Sequence, residues 1–207
     1  MSSVVVVDSG VANIGSVVAA LERLAAQPVI SADWSVIRAA ERVLLPGVGA
    51  AAAAMRELDR RGLVERLREL TQPVLGVCLG MQLMFEASEE GAEAPALTPC
   101  LGLLPGIVRR LPESPGVRVP HMGWNALLPR RAHPLVAGLG AQDYAYFVHS
   151  YAVAESPLTL MACEHGQAFS AIVAQRNFMG AQCHPERSAQ VGARLLSNFL
   201  TLDPESL

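Results

Sequence analysis

The sequence predicts an α/β fold, with a mostly parallel central sheet flanked by helices and extended by antiparallel strands. Three observations carry this. In the first half, short apolar runs at Val4 to Val7, Pro28 to Ile30, Val43 to Leu45 and Pro73 to Cys78 alternate with helical periodicity. Continuous apolar strands alternating with helices are the pattern of a parallel sheet covered on both faces. In the second half, strand-like segments separated by Gly and Pro replace the helices, the signal of antiparallel pairing. At 207 residues, with no repeat and no linker long enough to divide it, the chain is expected to form a single domain over 1–207.

Taken in order, Val4 to Val7 is β-branched throughout and ends at Asp8-Ser9-Gly10, after which Ile14, Val17, Val18, Leu21 and Leu24 recur at helical spacing. The strand at Val43 to Leu45 stops at Pro46-Gly47-Val48-Gly49. Alanines 50 to 54 begin a helix that Gly62 breaks, and Leu63, Val64, Leu67 and Leu70 resume an apolar face. Pro73 to Cys78 passes directly into a helix over Leu79 to Glu86. Ala87 to Pro99, acidic and proline-bearing, reads as a loop. Strands are expected at Ile107 to Leu111, Val117 to Val119, Asn125 to Leu128, Tyr144 to Val153, Leu158 to Cys163, Ala168 to Val173 and Phe178 to Cys183. A helix from Ser188 buries Val191, Leu195, Phe199 and Leu202.

Composition excludes several functions. A net charge of -3 and a pI near 5.9 leave no electrostatic footprint for nucleic acid. All 16 basic residues are arginines, so neither a P-loop lysine nor a Schiff-base lysine is present. No apolar stretch approaches the roughly eighteen residues of a membrane span, and Met1 to Val7 reads as a first strand, not a signal peptide. Cys78, Cys100, Cys163 and Cys183 are widely spaced with no C-x-x-C, which argues against a disulfide framework or a zinc site. A reducing, cytoplasmic setting and no cofactor or metal are expected.

The chemistry points to Cys78. It sits where a strand turns into a helix, with Gly76 and Gly80 two residues to either side, the spacing of a nucleophile elbow. Glycines let the backbone turn sharply there, and the Leu79 N–H at the new helix N-terminus favours negative charge beside the sulfur. The plain alternative is a buried structural cysteine. The Gly47-Val48-Gly49 loop, directly after a neighbouring strand, can turn backbone N–H groups toward a ligand.

A nucleophilic thiol needs an imidazole, and the imidazole needs an acceptor to orient it. Of the five histidines, only His184 has one at fixed local spacing, Glu186 in Cys183-His184-Pro185-Glu186. Pro185 is expected to hold the segment extended so that His184 and Glu186 face the same way. His121, His133, His149 and His165 are weaker candidates, the last on a surface hairpin turned by Gly166. Cys183 is expected to point away from the base and pack in the core.

Gly76 to Gln82, Pro46 to Gly49 and His184 to Glu186 together resemble, in order and spacing, the class I (triad) glutamine amidotransferases. Within that class, Cys78 to Leu83, Pro120 to Asn125, Tyr146 to Tyr151, Asp8 to Asn13 and Gly102 to Gly106 are similar to the glutaminase subunits of imidazole glycerol phosphate synthase. The resemblance covers essentially the whole chain. It implies the amidotransferase fold and hydrolysis of L-glutamine by Cys78, His184 and Glu186, with an oxyanion hole from Leu79 and Val48 or Gly49. Gly47, Gln82, Glu90, His149, Ser150 and Tyr151 would then line the glutamine site. It also implies a heterodimer in which His121, Met122, Trp124, Asn125 and Arg187 meet a barrel-shaped cyclase subunit that takes up the ammonia. The Gly47 to Gly49 peptides are expected to turn over when that subunit is loaded. Departures are Cys183 where the family usually has an aromatic residue, Arg187 for Lys and Ser150 for Thr. The glutaminase of another class I complex, or a non-catalytic binding protein on the same fold, are the alternatives.

Overall fold

Eight strands form the central sheet of the computed structural model, in the spatial order Gln27–Ser31, Ser3–Val7, Arg42–Leu45, Val74–Val77, Phe178–Ala181, Gln167–Gln175, Thr159–His165 and Leu128–Pro129. The structure describes residues 3–10, 14–92 and 96–204. Val11, Ala12 and Asn13, which complete the Asp8 to Asn13 segment, lie outside the described residues. The first five strands run parallel and the last three antiparallel.

Both faces of the parallel part are covered inward of its edge strand Gln27–Ser31, which is why Ser3–Val7, Arg42–Leu45, Val74–Val77 and Phe178–Ala181 carry unbroken apolar runs. Val4, Val6, Leu44, Leu75 and Val77 pack toward the helices Ile14–Arg23 and Ala189–Thr201, through Leu21, Leu195 and Phe199. Their neighbours Val5, Val7, Val43, Leu45 and Val74 pack on the opposite face against Leu58, Leu63 and Leu67, from the helices Ala51–Arg60 and Val64–Arg68 and the turn between them. Buried Arg42 donates from Nε and Nη2 to the carbonyls of Phe199 and Leu202 at 3.1 and 2.7 Å, which ties the end of the last helix to this sheet. Among the described residues, no helix is long and apolar enough to cross a membrane.

Several elements differ from expectation. The helix after Cys78 spans only Leu79–Leu83, because the carbonyls of Leu83, Met84 and Phe85 accept hydrogen bonds from Leu101 to Leu104 in place of a further helical turn. Ala87 to Pro99 is not all loop. Ala87–Ser88 pairs with Thr98–Pro99 and with Ile107–Arg110 in a small four-stranded sheet. Tyr144 to Val153 breaks at Ser150 into Tyr144–His149, which pairs with His121–Ala126, and Tyr151–Ala152, which joins the small sheet. The expected strand at Asn125 to Leu128 is divided between His121–Ala126 and Leu128–Pro129. Val117 to Val119 forms only an isolated Ser114–Val117 bridge, since Pro115, Gly116 and Pro120 interrupt any ladder. A short helix at Trp34–Ala39, capped by Asp33 Oδ1 accepting from Ser35 N at 2.8 Å, was not anticipated.

Candidate active site

Three adjacent parallel strands, Arg42–Leu45, Val74–Val77 and Phe178–Ala181, end side by side. Ligands bind outside the carboxyl ends of such strands. Each end carries a segment singled out in the sequence: Pro46 to Gly49, Cys78, and Gln182 to Glu186.

Cys78 takes φ 52° and ψ -112°, a conformation costly for a side chain with a Cβ. Its N–H donates to Ala181 O at 2.7 Å, and its carbonyl accepts from Gln82 N at 3.2 Å. The flanking glycines permit the turn by contact as well as by conformation. A Cβ at Gly76 would stand 2.6 Å from Gly80 O, and one at Gly80 would overlap the Leu45 carbonyl. Gly47 is also a close-approach glycine, its Cβ position 2.8 Å from Gly80 N. Gly47 lines not the cavity that holds Cys78, Gln82 and Glu90, as expected, but a neighbouring one. Gly49 has open space around it and φ +90°.

His184 follows the strand Phe178–Ala181, its backbone held by N–H donation to Tyr146 O at 2.9 Å and by Ser188 Oγ donating to its carbonyl at 2.7 Å. Pro185 does not keep the segment extended. It opens a 3-10 turn at Pro185–Arg187, as its fixed φ suits the first position of a helix. The turn brings Glu186 Oε1 to 2.8 Å from His184 Nδ1, with both side chains under a tenth exposed. Nδ1–H therefore donates to the carboxylate, and Nε2 is buried with no hydrogen-bond partner among the described residues. Burial pulls the imidazole pKa down, but interaction with Cys78 and Glu186 outweighs it and raises the value to about 10. Burial pushes the thiol of Cys100 up to about 11, of Cys163 to about 12 and of Cys183 further still. Cys183 packs in the core, only 2% exposed.

A cavity of about 240 Å³ is lined by Cys78, Leu79 and His184, by Val48 and Gly49, and by Gln82, Glu90, Val148, His149, Ser150 and Tyr151. It gathers the expected substrate residues apart from Gly47. Glu90 Oε2 accepts from Ala51 N at 2.9 Å, at the start of the helix Ala51–Arg60, and burial pushes its carboxyl up. Glu89 beside it turns outward to pair with Arg109 at 2.6 Å. Gln82 Nε2 donates to Tyr151 O at 2.9 Å and to Gln182 Oε1 at 3.0 Å. Gln182, not foreseen from the sequence, is fully buried with Nε2 3.8 Å from Cys78 Sγ. Its signal was a lone amide inside the apolar run Phe178 to Cys183, two residues before His184. A larger concavity of about 670 Å³ near Pro129 to Leu139 has no cysteine or carboxylate in its lining.

On the strand His121–Ala126, Met122 and Trp124 are 65% and 53% exposed. Trp124 meets the Tyr146 ring edge-on at 6.1 Å, and the Arg187 guanidinium lies over that ring at 5.0 Å, so the three form one patch. His121 is not on this face, contrary to expectation. It is 3% exposed and stacks on Phe147 at 5.0 Å, because alternation along the strand turns it inward. Asn125 is half-buried, its Nδ2 donating to Glu164 O.

The model of the class-I glutamine amidotransferase family matches residues 5–202. An imidazole glycerol phosphate synthase subunit HisH from Xylella fastidiosa is 54% identical over 203 residues, 98% of this chain and 99% of that one. The corresponding HisH subunit of Shewanella sediminis is 50% identical, covering 100% of this chain and 94% of its own. Among solved structures, a glutamine amidotransferase superposes with a TM-score of 0.71 at 20% identity, over 95% of this chain and 96% of that one. PurLQS from Thermotoga maritima gives 0.69 at 18%, over 96% and 97%. At such identities these two speak to the fold alone.

Proposed function

The chain belongs to the class I glutamine amidotransferases and, within them, to the HisH family of imidazole glycerol phosphate synthase subunits, and from that premise we propose a mechanism and a partner. The chain acts as one glutaminase domain in the cytoplasm, hydrolysing L-glutamine and delivering the ammonia to a cyclase subunit. The cyclase joins it to a phosphoribulosyl-formimino ribonucleotide, giving imidazole glycerol phosphate and a purine precursor.

Cys78 Sγ attacks the γ-carbonyl carbon of glutamine, forming a C–S bond and an oxyanion. Leu79 N–H and a backbone N–H from Val48 or Gly49 receive that charge. His184 gives its Nε2 proton to the departing nitrogen as the C–N bond breaks, which leaves a γ-glutamyl thioester and ammonia. The neutral ring then takes a proton from water, whose oxygen displaces the sulfur and yields glutamate. The observation that carries this reading is the orientation of His184. Glu186 occupies Nδ1, Nε2 is left without a partner among the described residues, and Cys78 lines the same cavity as the ring. An imidazolium so placed stabilises a thiolate and is already charged for protonating the leaving group.

Glu90, half-buried at the cavity, faces the substrate ammonium, whose charge favours the ionised carboxylate against the burial that pushes it up. A second cavity of about 190 Å³ shares Val48, Val148 and His184 with the first and reaches Arg187. This supports ammonia leaving past His184 toward the Trp124–Tyr146–Arg187 patch, where the cyclase docks. The test is to mix the purified chain with the cyclase subunit and follow glutamate and ammonia release with and without the cyclase nucleotide. Stimulated release supports the reading. An intact complex without glutamine turnover overturns it.

A further inference from the structure

Three histidines, His121, His149 and His165, gather behind the glutamine cavity, and only His149 lines it. The directions of the hydrogen bonds among them follow from the two ends of the chain they form. At one end, Asn125 Oδ1 accepts from Ala126 N at 2.8 Å and Nδ2 donates to Glu164 O at 2.8 Å, which fixes the amide orientation. The same Nδ2 lies 3.3 Å from His121 Nε2 and can only donate to it. At the other end, His149 Nδ1 lies 2.9 Å from Tyr151 O, a carbonyl that can only accept, so Nδ1 carries the proton.

Between these ends, His121 Nδ1 and His149 Nε2 are 3.0 Å apart. Were His149 doubly protonated, Nε2 would donate to His121 and leave the remaining His121 proton on Nε2, facing an Asn125 N–H. The arrangement closes only when both rings are neutral, with the proton on Nδ1 of each. Every link then points one way, from Asn125 to His121 to His149 to the Tyr151 carbonyl. The surroundings agree. Burial first, and then the neighbouring histidines, push His121 down to about 3; burial pushes His149 down to about 4, against the raising hydrogen bond to the Tyr151 carbonyl and with smaller lowering from His165 and His184. His165 stacks on His121 at 4.1 Å with its Nε2 against Arg118 O, and His184 exerts its charge on His149.

We propose that His121, outside the cavity, is a positioning residue for glutamine binding: by donating to His149 it holds that ring in its Nδ1–H tautomer and thereby fixes the Tyr151 carbonyl. That carbonyl also receives Gln82 Nε2, so one fixed peptide sets both the Ser150–Tyr151 rim and the Gln82 side chain. The kinetic part rests on the glutaminase reading; the tautomers do not.

The first test is imidazole ¹H–¹⁵N correlation spectra of the wild-type chain from pH 6 to 9. His121 and His149 are expected as neutral Nδ1–H tautomers throughout; an Nε2–H tautomer of either, or titration of His121 in this range, overturns the proposal. The second test is the glutaminase assay with the cyclase subunit present. His121→Leu is expected to raise KM for glutamine about tenfold, as for loss of one buried hydrogen bond, with kcat changed much less. His121→Gln, whose amide can accept from Asn125 and donate to His149, is expected to restore most of the loss. An unchanged KM, an equal fall in kcat, or a glutamine variant no better than leucine overturns the proposal. If the leucine variant proves unstable, the wild-type tautomers and the glutamine variant decide. Absence of turnover by the wild type would count against the glutaminase reading and leave the tautomers unaffected.

Discussion

Glu186 Oε1 stands 2.8 Å from His184 Nδ1 across a single 3-10 turn begun by Pro185. Two residues of one strand would have shared a face but pointed in parallel; the turn makes them converge. Glu186→Gln keeps the size and offers the ring an amide in place of a carboxylate. We expect kcat to fall by about 10²- to 10⁴-fold, the usual range for general acid–base catalysis, with the circular dichroism spectrum unchanged. A loss smaller than threefold would remove Glu186 from the mechanism.

The raised His184 pKa has a consequence for stability. A histidine whose folded pKa, about 10, exceeds its ordinary 6.5 stabilises the fold fully below about pH 6.5, and the contribution is lost as pH rises toward 10. Urea midpoints are therefore expected to decline between pH 7 and 10 in the wild type and to decline less in Glu186→Gln. Parallel profiles in the two proteins would contradict this.

Gln182 connects Cys78, the proposed nucleophile, to Gln82 in the cavity beside it, through Nε2 to Cys78 Sγ at 3.8 Å and Oε1 from Gln82 at 3.0 Å. Gln182→Leu removes both links and leaves Gln82 with the Tyr151 carbonyl alone. Loss of a buried hydrogen bond costs about 1–3 kcal/mol, so kcat/KM is expected to fall about 10- to 100-fold. A kcat/KM within twofold of wild type would show that Gln182 serves packing only.

Two glycines near the nucleophile should behave differently. A side chain at Gly80 would overlap the Leu45 carbonyl, which is backbone and cannot move aside, so Gly80→Ala is expected to prevent folding or lower Tm by many degrees. Gly49 has nothing near its Cβ position but sits at φ +90°. Gly49→Ala is expected to cost about 1–2 kcal/mol, a few degrees in Tm, while impairing turnover through the loop proposed to hold the oxyanion. Thermal melts and the stimulated glutaminase assay on the two variants separate these effects.

What the sequence disclosed was what is local. Gly76, Cys78 and Gly80 show the tight strand-to-helix turn by spacing, and His184 with Glu186 shows an imidazole with its hydrogen-bond acceptor, though not the turn that joins them. Four of the five parallel strands were visible because burial on both faces leaves continuous apolar runs; the edge strand Gln27–Ser31, with Val29 and Ile30 half exposed, showed only as a short apolar stretch. Less was legible where structure depends on distant partners. The helix at Leu79–Leu83 ends where the Leu101 to Leu104 backbone intervenes, and Ala87–Ser88 is a strand only because Thr98–Pro99 and Ile107–Arg110 flank it. His121 is grouped with Met122 and Trp124 in the sequence because the strand is expected to begin only at Asn125; once His121–Ala126 forms one strand, alternation sets His121 on the face opposite Met122 and Trp124. Trp34–Ala39 is too short to establish a helical period.

In the proposed mechanism the sulfur of Cys78 is activated by His184, and every later step depends on it. The most direct measurement is alkylation by an electrophilic glutamine analogue in the presence of the cyclase subunit, followed by peptide mass spectrometry. The expected result is one equivalent at Cys78, none at Cys100, Cys163 or Cys183, protection by glutamine, and a rate at least about a hundredfold lower in His184→Ala. Labelling at another cysteine, or an undiminished rate in His184→Ala, would contradict it.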